Sequence, residues 1–146
     1  MNLVSLRVIT DDVARLVAFY EDVTGVPAAW STPEFTELRT PSGTLALAGS
    51  RTVALFGEGT ARAAANHTVI TEFRVTDVDA EHRRLASLGC AFVQEPTTMP
   101  WGNRSLLLRD PDGNLVNLFT PVTEDALRRQ ERPAGGTGTG THAGSV

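Results

Sequence analysis

Among the ionisable residues of this 146-residue chain, a glutamate and two arginines have a spacing that suggests they act together. Leu3 to Ile9 alternates, with Val4, Leu6 and Val8 on one side and Ser5 and Arg7 on the other, the period of a half-buried strand. Val69 to Val75 alternates in the same way and puts Ile70, Glu72 and Arg74 on a common face. A carboxylate beside guanidinium groups on a sheet face can do one of two things. It can form a self-satisfied network that buttresses the sheet, with Glu72 serving Arg7, Arg74 or both, or it can anchor a ligand. Glu72 could also act as a general acid or base, with an arginine stabilising enolate-like charge. Trp30 and Trp101 are candidate walls for such a site, and Trp101 reads equally as a plain packing residue. Arg104, at the start of a strand, could reach a ligand carboxylate or a neighbouring acid.

Other chemistry is thinly provided. Of three histidines, His67 stands at a strand start, His82 among Glu81, Arg83 and Arg84 on a solvated helix face, and His142 in a tail. The single cysteine, Cys90, excludes an internal disulfide and an all-cysteine metal site, and reads as a small buried residue. No serine or threonine has a recognisable nucleophile setting. Gly135-Gly136-Thr137-Gly138 has no strand before it or helix after it, so it is no phosphate loop. The net charge of −4, without a basic cluster, argues against nucleic acid. No apolar run approaches the roughly 20 residues that span a bilayer. No basic n-region and apolar h-region open the chain, so a cytoplasmic protein is expected.

The elements that must position these groups come in two similar sets. Thr10-Asp11-Asp12 offers a helix cap, Val13, Leu16, Val17, Tyr20 and Val23 follow at helical spacing, and Gly25 supplies the stop. Strands are expected at Phe35–Arg39 and Thr44–Ala48, around the turn Pro41-Ser42-Gly43, with a further candidate at Thr52–Phe56. The plan then recurs. Strand 69–75 is followed by a Thr76-Asp77 cap, a helix through Val78, Leu85 and Leu88, and Gly89. Strands at Ala91–Gln94, Ser105–Leu108 and Leu115–Phe119 follow, the last two joined by Asp110-Pro111-Asp112-Gly113-Asn114. The expected organisation is a β-α-β-β-β module at 1–56, a linker at 57–66 and a second module at 67–120. A C-terminal helix at 121–132 and a disordered Gly/Thr-rich tail at 133–146 complete it.

The repeated strand, acidic cap, helix with Phe19-Tyr20, and Gly25, together with Trp101-Gly102-Asn103-Arg104 and Asp110-Pro111-Asp112-Gly113-Asn114, resembles the vicinal oxygen chelate superfamily over residues 3–120. Glyoxalases, extradiol dioxygenases, fosfomycin-modifying enzymes and bleomycin-resistance proteins belong to it. The resemblance implies an α+β fold of two βαβββ modules that form an open, cup-shaped mixed sheet with helices outside. It also implies a homodimer in many members, with pairing of the modules inside one chain as the alternative.

Superfamily enzymes hold a divalent metal with His and Glu side chains on the first and last strands of the modules. Carried over by position, these sites fall on Leu3, Ile70 and Asn117, and residues 41–50 contain no His, Asp or Glu for the fourth. Carbon side chains have no donor atom, and a neutral amide is a poor ligand for a divalent cation. The expectation is therefore no cofactor and no metal, unless Glu72, Glu37 and His67 converge into a non-standard site. The cup would be lined by Leu3, Ser5, Arg7, Ile70, Glu72, Arg74, Leu115, Asn117 and Phe119. The expected function is metal-independent sequestration of a partly apolar small molecule, with Ser5, Arg7, Trp30, Arg74, Trp101, Arg104, Asn117 and Phe119 as its contacts. The alternative is a lyase or isomerase using Glu72 as acid or base.

Overall fold

Each half begins with a strand and an aspartate-capped helix. β1 (Ser5–Thr10) leads into α1 (Val13–Thr24), where the Asp12 carboxylate accepts from the Arg15 N–H at 3.0 Å. β5 (Ile70–Arg74) leads into α2 (Val78–Ser87), where Asp77 accepts from the N–H groups of Asp79 and Ala80, each at 3.0 Å. A carboxylate there satisfies amides without a partner inside the helix and faces the positive end of the helix dipole. The computed structural model describes residues 1–131, so the expected tail at 133–146, with His142, lies outside the described residues.

Three strands follow each helix: β2 (Ala28–Thr32), β3 (Phe35–Thr40) and β4 (Gly43–Gly49) in the first half, β6 (Phe92–Thr98), β7 (Asn103–Arg109) and β8 (Leu115–Pro121) in the second. The sheets run β1-β4-β3-β2 and β5-β8-β7-β6. In each, the first strand lies parallel to the last and the other pairs are antiparallel. The fold is α+β, as expected: two open four-stranded mixed sheets with helices packed outside.

Two details of the first half differ from expectation. Thr52–Phe56 is not a strand; Ser50–Leu55 forms a 3-10 helix, which the Thr52 hydroxyl closes by donating to the Gly49 carbonyl at 2.8 Å. The third strand of that module is instead β2. It lies at the sheet edge with little burial, so no apolar alternation marks it in the sequence. In the second half, His82 is half-buried rather than fully solvated. Its ring packs edge-on against Phe92 at 4.6 Å, and its Nε2 lies 3.1 Å from Glu95. α3 (Glu124–Glu131) follows β8, and the hydroxyl of Thr123 accepts from the Ala126 N–H. No helix of the described residues is long and apolar enough to cross a membrane.

One continuous core joins the halves. Leu16, Leu38 and Leu47 from the first meet Leu85, Leu106, Leu108 and Leu118 from the second, all essentially inaccessible. Burial of each such leucine contributes about 2 kcal/mol. Thr36 lies in the same interior, opposite Leu47, and its hydroxyl has no hydrogen-bond partner. Thr36→Val keeps the shape and removes the unpaired group, so it is expected to stabilise the protein by about 1 kcal/mol in urea melts. A loss of stability would show that the hydroxyl is paired in solution.

Candidate functional site

Strand pairing decides which side chains share a face, because residues directly opposite in a ladder project the same way. On the second sheet, Glu72 lies opposite Asn117 and Asn117 opposite Leu107, while Arg74 lies opposite Phe119 and Phe119 opposite Ser105. On the first sheet, Arg7, Ala46 and Glu37 form one row, and Ile9, Ala48 and Phe35 the next. These rows point away from the leucine core. They are the open faces on which a ligand can sit.

The best-defined polar contact on these faces joins Glu72 and Asn117. Asn117 Nδ2 donates to Glu72 Oε1 at 2.8 Å, so one carboxylate oxygen is held by a neighbouring amide. Asn117 is 8% exposed, and its Oδ1 has no hydrogen-bond partner. Glu72 also lines a cleft of about 240 Å³ between β1 and β5, together with Leu3, Ser5, Ser42 and Phe73. The structure thus brings Ser5 and Glu72 to one cleft and sets Asn117 behind the carboxylate.

Glu72 is not the partner of either arginine. Arg7 instead lies between two aromatic rings, its guanidinium carbon 5.2 Å from the centroids of both Phe35 and Phe56. Glu37 is taken by Arg39, whose Nε and Nη2 donate to it at 3.0 and 2.7 Å. Phe119, beside Arg74, is buried.

Trp30 and Arg104 are turned away from these faces. Trp30 lies opposite Thr36, on the core side of the sheet edge. Arg104 shares its side of β7 with Leu106 and Leu108 and donates through Nε and Nη2 to the Asp79 carboxylate at 2.7 and 2.8 Å. That pairing ties α2 to β7 and, chiefly through the hydrogen bonds, holds the Asp79 carboxyl below its ordinary range. Trp101 stands exposed at the turn before β7, where its carbonyl accepts from the Arg129 guanidinium of α3. Next to it, Gly102 has φ +90, and a Cβ there would run into the Thr123 side chain, which explains a glycine at this position.

The metal positions implied by the resemblance carry two aliphatic side chains and one neutral amide. Leu3 is exposed ahead of β1, Ile70 opens β5, and Asn117 offers only a neutral amide oxygen, its Nδ2 donating to Glu72. Glu72, Glu37 and His67 do not converge, and among the described residues no three His, Cys, Asp or Glu side chains do. These residues do not fit a divalent ion. Cys90 is partly buried, and burial pushes its thiol up, away from thiolate reactivity.

Sequence reasoning missed the aromatic clamp on Arg7. Phe56 closes a short apolar run that imitates a strand, and that hid its reach to β1. It also missed that Tyr20 of the Phe-Tyr pair and Asp110 of the Asp-Pro-Asp-Gly turn are partners. The Tyr20 hydroxyl donates to Asp110 Oδ2 at 2.9 Å across 90 positions of chain.

Two βαβββ halves, open sheets and this last hairpin define a class, and the class has a family. The chain belongs to the Glyoxalase/Bleomycin resistance protein/Dioxygenase superfamily, whose model matches residues 2–118. Among individual relatives it is similar to the uncharacterized protein YraH of Bacillus subtilis (strain 168). That likeness is 28% identity over 131 residues, or 82% of this chain and 98% of the relative. A glyoxalase/bleomycin resistance protein/dioxygenase family enzyme from Burkholderia phytofirmans PsJN superposes with a TM-score of 0.72 at 19% identity, over 84% of this chain and 100% of that one. A lactoylglutathione lyase from Agrobacterium tumefaciens superposes with a TM-score of 0.66 at 22% identity, over 82% and 92% of the two chains. At these identities the structural likenesses establish the fold alone.

Proposed function

We propose that this protein binds a small, partly apolar organic molecule on the open faces of its sheets without a metal ion, and that it does so as a homodimer. The observation that carries the reading is the replacement of metal donors by Leu3, Ile70 and Asn117, two aliphatic side chains and a neutral amide. Glu72 is then the polar group that faces the ligand, while Ile70, Leu115 and Phe119 on the same sheet face supply apolar contact. Leu3, Leu6 and Ile70, exposed along the β1 and β5 edges, support burial against a second copy.

A second reading rests on the Glu72 geometry. Asn117 holds one carboxylate oxygen and leaves the other without a protein hydrogen bond, an arrangement suited to proton transfer. A lyase or isomerase is the class of enzyme that such an acid or base would serve.

A thermal-shift screen on EDTA-treated protein tests the first reading, since selective binding to the native state raises stability by mass action. Organic molecules are expected to raise the melting temperature, and Mn, Fe, Ni or Zn ions to leave it unchanged. A large stabilisation by one of these ions would overturn metal independence. With a hit in hand, Glu72→Gln separates the readings. If the parent turns the hit over, and the variant binds it without turnover, the protein is an enzyme; absence of turnover in the parent supports sequestration.

A further inference from the structure

A second cleft, of about 250 Å³, lies between β1 and the segment before β5. Its walls include Arg7, Arg62, Ala61, Ala64, Ala65 and Val69, and no aspartate or glutamate lines it. In a protein of net charge −4, two arginines lining one cleft without a carboxylate are conspicuous.

These two arginines differ from most others in the chain. Arg39, Arg51, Arg84, Arg104 and Arg128 are all paired with acids, and Arg15, Arg109 and Arg129 donate to carbonyls. Arg7 and Arg62 have no hydrogen-bond or ion-pair partner among the described residues. For Arg7 the contrast is sharper, because Phe35 and Phe56 flank its guanidinium at 5.2 Å each. Such stacking stabilises the cation and limits its rotation, yet satisfies none of its N–H donors. A planar cation held in place, with its donor edge free, is pre-organised for an oxyanion.

We infer that this cleft is a binding site for a small organic oxyanion, a carboxylate or phosphate carried on a compact apolar body, with Arg7 and Arg62 as its anchors. The alanines and Val69 supply an apolar wall, and the volume admits a single-ring molecule rather than a large one. The inference goes beyond the Glu72 face and stands whether or not Glu72 binds anything.

Benzoate, phenyl phosphate and the neutral control benzamide are the probes, titrated into the full chain in a chloride-free, phosphate-free buffer. Readouts are calorimetry and the arginine Nε–Hε resonances in NMR, assigned by the loss of one peak in each variant. At least one anion is expected to shift the Arg7 and Arg62 resonances saturably at millimolar concentration, and benzamide to shift neither. The stronger of benzoate and phenyl phosphate identifies the headgroup. Arg62→Gln and Arg7→Gln should each weaken binding about tenfold, the loss typical of a charge-assisted pair. Phe56→Leu should weaken it by a smaller factor through the lost stacking. Glu72→Gln should leave anion binding unchanged, so failure of the Glu72 reading is seen separately. Unmoved arginine resonances, an equal response to benzamide, or full affinity in Arg62→Gln would overturn the inference.

Discussion

Asp110→Ala is expected to destabilise the protein by about 4 kcal/mol, because it strips a buried carboxylate from several donors at once. Asp110 is 4% exposed and accepts from the Tyr20 hydroxyl at 2.9 Å, the Asn114 side chain at 2.7 Å, and the backbone N–H groups of Asp112 and Asn114, both at 2.9 Å. Alanine leaves the phenol and the Asn114 amide buried without an acceptor. It also frees the turn, where Gly113 at φ 85 lets the Gly113 N–H reach the Asp110 carbonyl. The effect should spread beyond the hairpin. Asn66 donates to Asn114 at 3.1 Å, so α1, the β7–β8 turn and the segment before β5 are joined through this carboxylate. Urea melts of Asp110→Ala, Tyr20→Phe and the double variant separate the pair from the turn. If Tyr20→Phe and Asp110→Ala prove strictly additive, the contact between the halves contributes nothing of its own.

The second large effect is alkaline. Burial first, then the negative charge of Asp110 and the hydrogen bond to it, push the Tyr20 phenol well above its ordinary range. The folded protein therefore keeps the proton where the unfolded chain loses it. The sign follows from that difference. The contribution is fully present below the unfolded value near 10.0, and is lost as pH rises above it toward the folded value. Stability should fall by about 1.4 kcal/mol per pH unit in that window, reaching about 3 kcal/mol two units above the unfolded value. Cys90, also pushed up by burial, acts in the same direction from its lower ordinary value, so the measurement belongs in a Cys90→Ser background. Tyr20 is the single tyrosine, and phenolate absorbance reports it alone. In Tyr20→Phe the slope should vanish. A phenol that titrates near 10 in the folded protein, or an unchanged slope in the variant, would refute the burial argument.

Much of this molecule follows from local pattern. The alternation in β1 and β5, the aspartates at the helix starts, the spacing of Val13, Leu16, Val17, Tyr20 and Val23, and the Asp110–Asn114 turn all depend on neighbours in the chain. They were readable one residue at a time. So was the lack of a carboxylate or imidazole at Leu3, Ile70 and Asn117, because side-chain chemistry does not wait for folding. β2 escaped notice because an edge strand buries little, and Thr52–Phe56 misled because a short apolar run of strand length can equally close a 3-10 turn.

Tertiary structure alone decided which groups meet. Sequence alternation put Arg7, Glu72 and Arg74 on open faces, but an ion pair depends on distance between strands in different sheets, which no local pattern encodes. The folded chain gives Glu72 an amide, Arg7 two phenyl rings, and Arg104 a helix carboxylate on the core side. Tyr20 and Asp110 come together only because α1 meets the β7–β8 turn of the other half. The chain by itself determined two βαβββ halves and an open face poor in metal donors; packing of those halves chose the partner of each charge, since Coulombic and hydrogen-bond contacts fall off within a few ångströms.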